Sequence, residues 1–233
     1  MTLLKLARKD NQMIKRWITL AGTMMCMGWS AVVGAYTITD MENRSVTFDQ
    51  APKRFVVANY VANFLLVAGE ENLKKIVAIT GDGWEAMRKG EYLAYKKAFP
   101  ELKTLSSIGG YHDDILNSEK ILSLKPDVLL VNRSQYHINQ QRLAILEKAG
   151  IKVVVLDYHA MKEANHLQST KILGQLLGRE AVAKDLCDTY TNAIETVKAR
   201  IDKLPASRLN QRAYFELGNL GAHQQGNSYA KDF

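Results

Sequence analysis

An α/β fold with a parallel sheet is predicted by three observations. Short apolar, β-branched runs recur along the chain, and they are continuous rather than alternating, as strands buried on both faces require. Segments of helical periodicity separate them, so that strand and helix alternate as in βαβ units. The composition, 47% apolar and 24% charged over 233 residues, can support one or two globular domains and excludes a collagenous or wholly disordered chain.

The N-terminal segment reads as an export signal. Lys15 and Arg16 precede nineteen uncharged residues, Trp17–Ala35, which end in the small residues Val33-Gly34-Ala35. A retained membrane anchor is the alternative, because about eighteen apolar residues can span a bilayer. Its Thr, Ser and Gly content and the polar chain after Ala35 favour cleavage before Tyr36. Met13 could serve as the start, and Met24-Met25 before Cys26 do not form a lipobox. This segment explains most of the basic charge. The whole chain carries +7, but residues 1–35 hold five Lys/Arg and one acid, leaving 26 basic against 23 acidic residues beyond them. Nucleic acid is therefore not an expected partner. Cys187 is then the single thiol of the exported chain, and its place among Leu186, Tyr190 and Ile194 at helical spacing reads as core.

From Tyr36 the elements follow in order. Tyr36–Asp49 is a β-hairpin around Met41-Glu42-Asn43-Arg44. Strands are expected at Phe55–Val57, Ile76–Ile79, Val128–Val131 and Val153–Leu156, with a weaker one at Leu105–Ile108. Helices are expected at Val61–Leu73, Glu85–Ala98, Glu119–Leu124 and Asn139–Ala149, the last capped by Gly150. A helix at Glu163–Leu177 stops at Gly178. A longer one, Glu180–Leu204, carries an apolar stripe of Val182, Leu186, Tyr190, Ile194, Val197 and Ile201. Arg212–Phe215 would open a further strand. The resulting division is a signal peptide (1–35), an N-terminal α/β lobe (36–160), a helical region (161–205) and the start of a second lobe (206–233).

In such sheets ligands gather at the carboxyl ends of the strands. The residues expected there are Asn59 and Tyr60, Trp84, Tyr111, Arg133 and Tyr136, and Tyr158, with His112, His137 and His159 nearby. Five aromatic rings and an arginine over five loops suit a shallow cleft for a flat or bulky ligand. Gly81-Asp82-Gly83-Trp84-Glu85-Ala86 matches a dinucleotide fingerprint. It follows the second strand rather than the first, and Glu101 does not end a strand, so it reads as a coincidence. The sequence holds no P-loop, G-x-S-x-G or H-E-x-x-H motif. Asn43-Arg44-Ser45 and Asn132-Arg133-Ser134 match the glycosylation pattern only by chance. His159 and His166 support a metal site weakly, and no metal ligand set, catalytic residue or resident cofactor is assigned. An exported α/β enzyme would have to use Ser134 with His137 or Asp157 with His159.

Several stretches together resemble the bacterial substrate-binding proteins of iron–siderophore and cobalamin ABC importers, the class built on a helical backbone. They are Thr39-Asp40 followed by Pro52-Lys53-Arg54-Phe55-Val56-Val57, then Glu119-Lys120-Ile121-Leu122-Ser123-Leu124-Lys125-Pro126-Asp127-Val128, Leu146–Val155 and Leu176–Glu180. The resemblance covers about residues 39–231. It implies two α/β lobes joined by a rigid helix, here Glu180–Leu204, with a chelate held between them by the loop residues named above and by Arg133 contacts to anionic chelator oxygens. It further implies Glu119 as a permease-docking residue, a periplasmic location, a monomer, and a ferric siderophore as cargo, with cobalamin, haem or a nickel chelate as alternatives. Against that pattern the expectation is of a second lobe that is only begun within these residues.

Overall fold

The computed structural model describes residues 35–110 and 113–209. The signal segment, Tyr111, His112 and the strand expected at Arg212–Phe215 lie outside these residues.

The hairpin comes first: β1 (Tyr36–Thr39) pairs antiparallel with β2 (Ser45–Phe48). Ile38, Val46 and Phe48 point inward while their neighbours face solvent, the alternation of a half-buried ribbon. Five strands then form one parallel sheet: β3 (Phe55–Val57), β4 (Ile76–Ile79), β5 (Ser106–Ser107), β6 (Val128–Asn132) and β7 (Lys152–Leu156). Their order is β5-β4-β3-β6-β7. The chain starts at the centre, builds outward through β4 and β5, then returns to the other side of β3. Between β3 and β6 the direction of winding reverses.

The strands carry two cores, one on each face. Phe55, Val57, Ile79, Leu130 and Leu156 point to one side, where they meet Phe64, Trp84, Ile172, Leu173 and Leu176. Val56, Ala78, Leu129, Val131 and Val155 point to the other, against Ile121, Leu143 and Leu146. Continuous apolar runs are thus the consequence of burial on both faces.

The helices are α1 (Val61–Ala68), α2 (Glu70–Leu73), α3 (Gly81–Met87), α4 (Lys89–Ala98), α5 (Ser118–Leu124), α6 (Arg133–Ile138), α7 (Gln140–Lys148), α8 (Glu163–Leu177), α9 (Glu180–Ile201) and α10 (Ala206–Leu209). Three differ from the sequence expectation. Val61–Leu73 is broken at Gly69, whose φ of 66° ends α1. Glu85–Ala98 divides at Arg88, and Gly81–Trp84, expected as a loop, is the first turn of α3. Residues 133–138, also expected as a loop, are a helix. Asn132 caps it: its side chain accepts from the Gln135 N–H while Gln135 Oε1 accepts from the Asn132 N–H.

The hairpin turn closes the edge of β7. Met41 N–H donates to the Val155 carbonyl at 3.1 Å, and Arg44 Nη2 donates to the Val153 carbonyl at 2.7 Å. Asp40, buried, accepts from Val155 N, Glu42 N, Arg44 N and the Arg44 guanidinium. An edge strand that would otherwise expose a ladder of unpaired groups is thereby covered.

α8 and α9 lie against each other at close range. A Cβ on Gly174 would sit 2.6 Å from the Cβ of Ala183, so glycine is the residue that permits this approach. On α9 the buried positions are Ala183 and Cys187. The expected stripe is only partly covered: Val182, Leu186 and Ile194 are half-buried, whereas Tyr190, Val197 and Ile201 are exposed.

Candidate functional site

A cavity of about 920 Å³ opens across the carboxyl ends of β3, β4, β6 and β7. It straddles the reversal point between β3 and β6, where the loops leave in opposite directions and a crevice must form. Two side chains near the ends of β3 and β4 share one acceptor. Thr80 Oγ1 donates to the Ala58 carbonyl at 2.9 Å, and Gln135 Nε2 donates to the same oxygen at 3.0 Å. Gln135, fully buried, also donates to the Gly110 carbonyl, and Asn139 Nδ2 donates to the Asp114 carbonyl. The loop after β5 is therefore anchored to α6 and α7.

The walls are aromatic and polar. Tyr60 is the N-cap of α1 and adopts φ 59°, ψ 38°, a left-handed conformation that a tyrosine takes only at a cost of about 1 kcal/mol or more. Its N–H donates to Asn59 Oδ1. Its ring meets Tyr158 edge-on at 5.1 Å, and Tyr158 in turn meets His166 at 5.6 Å. Tyr158 Oη and Thr170 Oγ1 are 3.0 Å apart. Burial pushes the Tyr158 hydroxyl far above the usual phenol range, partly offset by the Thr170 bond. Trp84 contributes one edge of the wall but is only 4% exposed, locked between Tyr92 and Tyr95.

Every charge in the cavity already has a protein partner. Arg133, half exposed, donates from Nε to Glu42 Oε1 at 2.6 Å, and its Nη1 lies 3.8 Å from Asp157 Oδ2. His137 Nε2 is 3.2 Å from the same Glu42 oxygen. Arg88 pairs with Glu91 at 3.2 Å. Ser134 Oγ donates to Asp114 Oδ2 at 2.5 Å. Asp157 accepts from the His159 and Ala160 backbone N–H groups and from Asn165 Nδ2.

Of the residues expected at the site, Asn59, Tyr60, Trp84, Arg133 and Tyr158 line this cavity together. Tyr136 does not. It packs instead under the Arg44 guanidinium, which lies 4.5 Å from its ring centre. Tyr111 lies outside the described residues. Arg88, Glu91 and Asp114 also line the cavity and had not been singled out. Arg88 stands four residues after Trp84, one helical turn on, which is the spacing that could have found it.

The residues a hydrolytic enzyme would use have these contacts among the described residues. Ser134 is bonded to Asp114 and His137 to Glu42; Asp157 contacts the His159 backbone. Among the described residues, no three or more His, Cys, Asp or Glu side chains cluster as a metal site would require. Glu119 is exposed in the first turn of α5, where Asn117 caps Lys120 N–H, and among the described residues it makes no ion pair.

Comparison with known proteins agrees with this architecture. The family described as periplasmic binding protein matches residues 76–231. An uncharacterized ABC transporter substrate-binding lipoprotein of Bacillus subtilis strain 168, YvrC, is 26% identical over 167 residues, 70% of this chain and 46% of the relative. Among solved structures, the TroA-like periplasmic binding protein FepB from Veillonella parvula superposes with a TM-score of 0.65 at 26% identity, over 72% of this chain and 50% of that one. The molybdate-binding MolA of a Haemophilus influenzae ABC transporter, solved with molybdate, gives 0.61 at 18% identity over 74% and 55%, a likeness of fold alone. The chain spans about half the length of these relatives, which are substrate-binding proteins rather than enzymes. With its parallel α/β lobe, its crevice at the strand ends and a family match over most of its length, the chain belongs to the periplasmic binding protein family.

Proposed function

We propose that this chain belongs to the solute-binding component of an ABC importer, which captures a ferric siderophore or a related metal chelate outside the cytoplasm and delivers it to the membrane permease. The single observation that carries this reading is the 920 Å³ cavity, walled by Tyr60, Tyr158 and Trp84 and set at the reversal point of the sheet. That volume lies at the upper end of the range for small-molecule sites, and aromatic walls with a few polar groups fit a bulky, partly flat ligand. In this reading Asn59, Tyr60, Trp84, Arg133 and Tyr158 contact the ligand, joined by Tyr111 on the neighbouring loop. Glu119, exposed on α5, contacts the permease. Residues 1–35 act as the export signal, residues 36–160 form the ligand-binding lobe, and α8 and α9 form the helical connection that follows.

Tryptophan fluorescence tests the ligand class. Residues 36–233 contain Trp84 alone, so its emission reports this wall of the cavity. Ferric hydroxamates, ferric catecholates, ferric citrate, haem, cobalamin and a nickel chelate are titrated into the protein. Saturable quenching by one class and not the others is expected, and it is lost on Tyr60→Ala. A flat response to every chelate refutes the reading. The mass of the exported product tests the signal: retention of residues 1–35 overturns that part.

A further inference from the structure

Within that reading, we infer that this half of the site selects a chelate of neutral or positive net charge and discriminates against polyanions. The formal charges lining the cavity are Arg88 and Arg133 against Glu91, Asp114 and Asp157, among the described residues. Glu42, bonded to Arg133, adds a further negative charge, so the local excess is two negative charges.

The geometry removes the usual escape, that one free arginine can outweigh distant acids. Glu42 Oε1 is 2.6 Å from Arg133 Nε, and Asp157 Oδ2 is 3.8 Å from Nη1. An oxygen that hydrogen-bonds this guanidinium therefore sits within roughly 8–9 Å of both carboxylates. At equal dielectric, the attraction of one positive charge at ~4 Å is cancelled by two negative charges at ~8 Å. Glu42 and Asp157 are only 14% and 4% exposed at their side chains, so solvent screens them little. Arg88 offers no compensation, because Glu91 follows it at the (i, i+3) position and holds it. Arg133 thus orients a ligand by hydrogen bonding without supplying a net positive field. This differs from the expectation of Arg133 as a contact for anionic chelator oxygens. Two acids separate the cases, Glu42 from the hairpin and Glu91 from α4, and neither belongs to the strand-end loops where ligand residues were sought.

A charge series on one chelate tests the inference. The probes are a linear ferric trihydroxamate with a terminal ammonium and one positive charge, its N-acetyl form, which is neutral, and its N-succinyl form, which carries one negative charge. A triply negative ferric tris-catecholate is the fourth. Affinity is expected to fall about fourfold for each added negative charge in low salt, and the differences shrink as salt is raised. Glu42→Gln and, separately, Glu91→Gln are each expected to flatten the series, with unchanged far-UV circular dichroism. Equal affinity for the three hydroxamates, or tighter binding of the tris-catecholate, overturns the inference and leaves the chelate reading standing. Absence of binding by all four overturns the charge preference and the ferric-siderophore class, and the quenching panel with haem, cobalamin and the nickel chelate then decides the wider chelate reading.

Discussion

Removing the Asp40 carboxylate unlatches the hairpin from the sheet, and its cost can be worked from the contacts. The side chain is fully buried and accepts five N–H bonds: from Glu42 N (2.9 Å), Arg44 N (3.0 Å), Arg44 Nε (3.0 Å), Arg44 Nη2 (2.8 Å) and Val155 N (3.2 Å). Burial pulls the Arg44 guanidinium pKa down, but the hydrogen bond and charge of Asp40 raise it above its ordinary value overall. Asp40→Ala leaves this arginine beside the β7 edge with Glu147, the Val153 carbonyl and the Tyr136 ring. Breaking a buried ion pair from one side costs about 3–5 kcal/mol, a large share of the ~5–15 kcal/mol that holds a domain together. With a urea m-value of ~2 kcal/mol/M, the unfolding midpoint should drop by about 1.5–2.5 M. Hydrogen exchange should localise the damage to the Met41 and Val155 amides, and Asp40→Ala with Arg44→Met should cost less than the sum of the two. A loss below about 1 kcal/mol, or full additivity, refutes the claim that this ion pair fastens the hairpin. The consequence reaches the site, because the same turn carries Glu42 to Arg133.

Two further outcomes follow from the packing. Gly174→Ala should destabilise by about 1–3 kcal/mol because its Cβ meets that of Ala183, and Ala183→Gly should recover much of the loss in thermal unfolding. Failure of the second change to compensate would mean that the helix contact is not what limits residue 174. The alkaline limb of stability should belong largely to Tyr158, whose pKa burial raises in the folded state. Below about pH 10 the hydroxyl is protonated both folded and unfolded, so its stabilising effect is fully present; above that the unfolded chain ionises first and stability falls with rising pH. Tyr158→Phe should cost about 1 kcal/mol at neutral pH and make that fall shallower, and an unchanged slope in denaturation between pH 9 and pH 11 would sink the assignment.

The sheet was legible because its physics is local to each strand. Val128–Val131 and Val153–Leu156 have no polar residue to place on a solvent face, so only a doubly covered strand accommodates them. The helix at 133–138 was not legible from periodicity, since six residues are under two turns. Its signal was the capping pair Asn132 and Gln135, three apart, which reads as a loop unless the side chains are allowed to bond the backbone. Tyr136, expected in the cleft with Arg133, packs instead against Arg44, a contact from the distant hairpin turn. The break at Arg88 escaped because neither proline nor glycine stands at that position, although its φ there is −128°.

Which residues reach the crevice was readable; which charges are available there was not. Strand ends are fixed by the chain itself, so Asn59, Tyr60, Arg133 and Tyr158 could be gathered from three places in the sequence. The state of Arg133 depends on Glu42, 91 residues earlier, and on Asp157 from the next strand, and no local pattern records either contact. The hairpin covers the edge of β7. Here its turn delivers the Glu42 carboxylate, through an ion-paired latch, to Arg133 in the cavity wall. Stability of the edge and the charge presented by the site are therefore coupled: a change that loosens Asp40 from Arg44 also frees Glu42, and it should alter ligand charge preference before it unfolds the lobe.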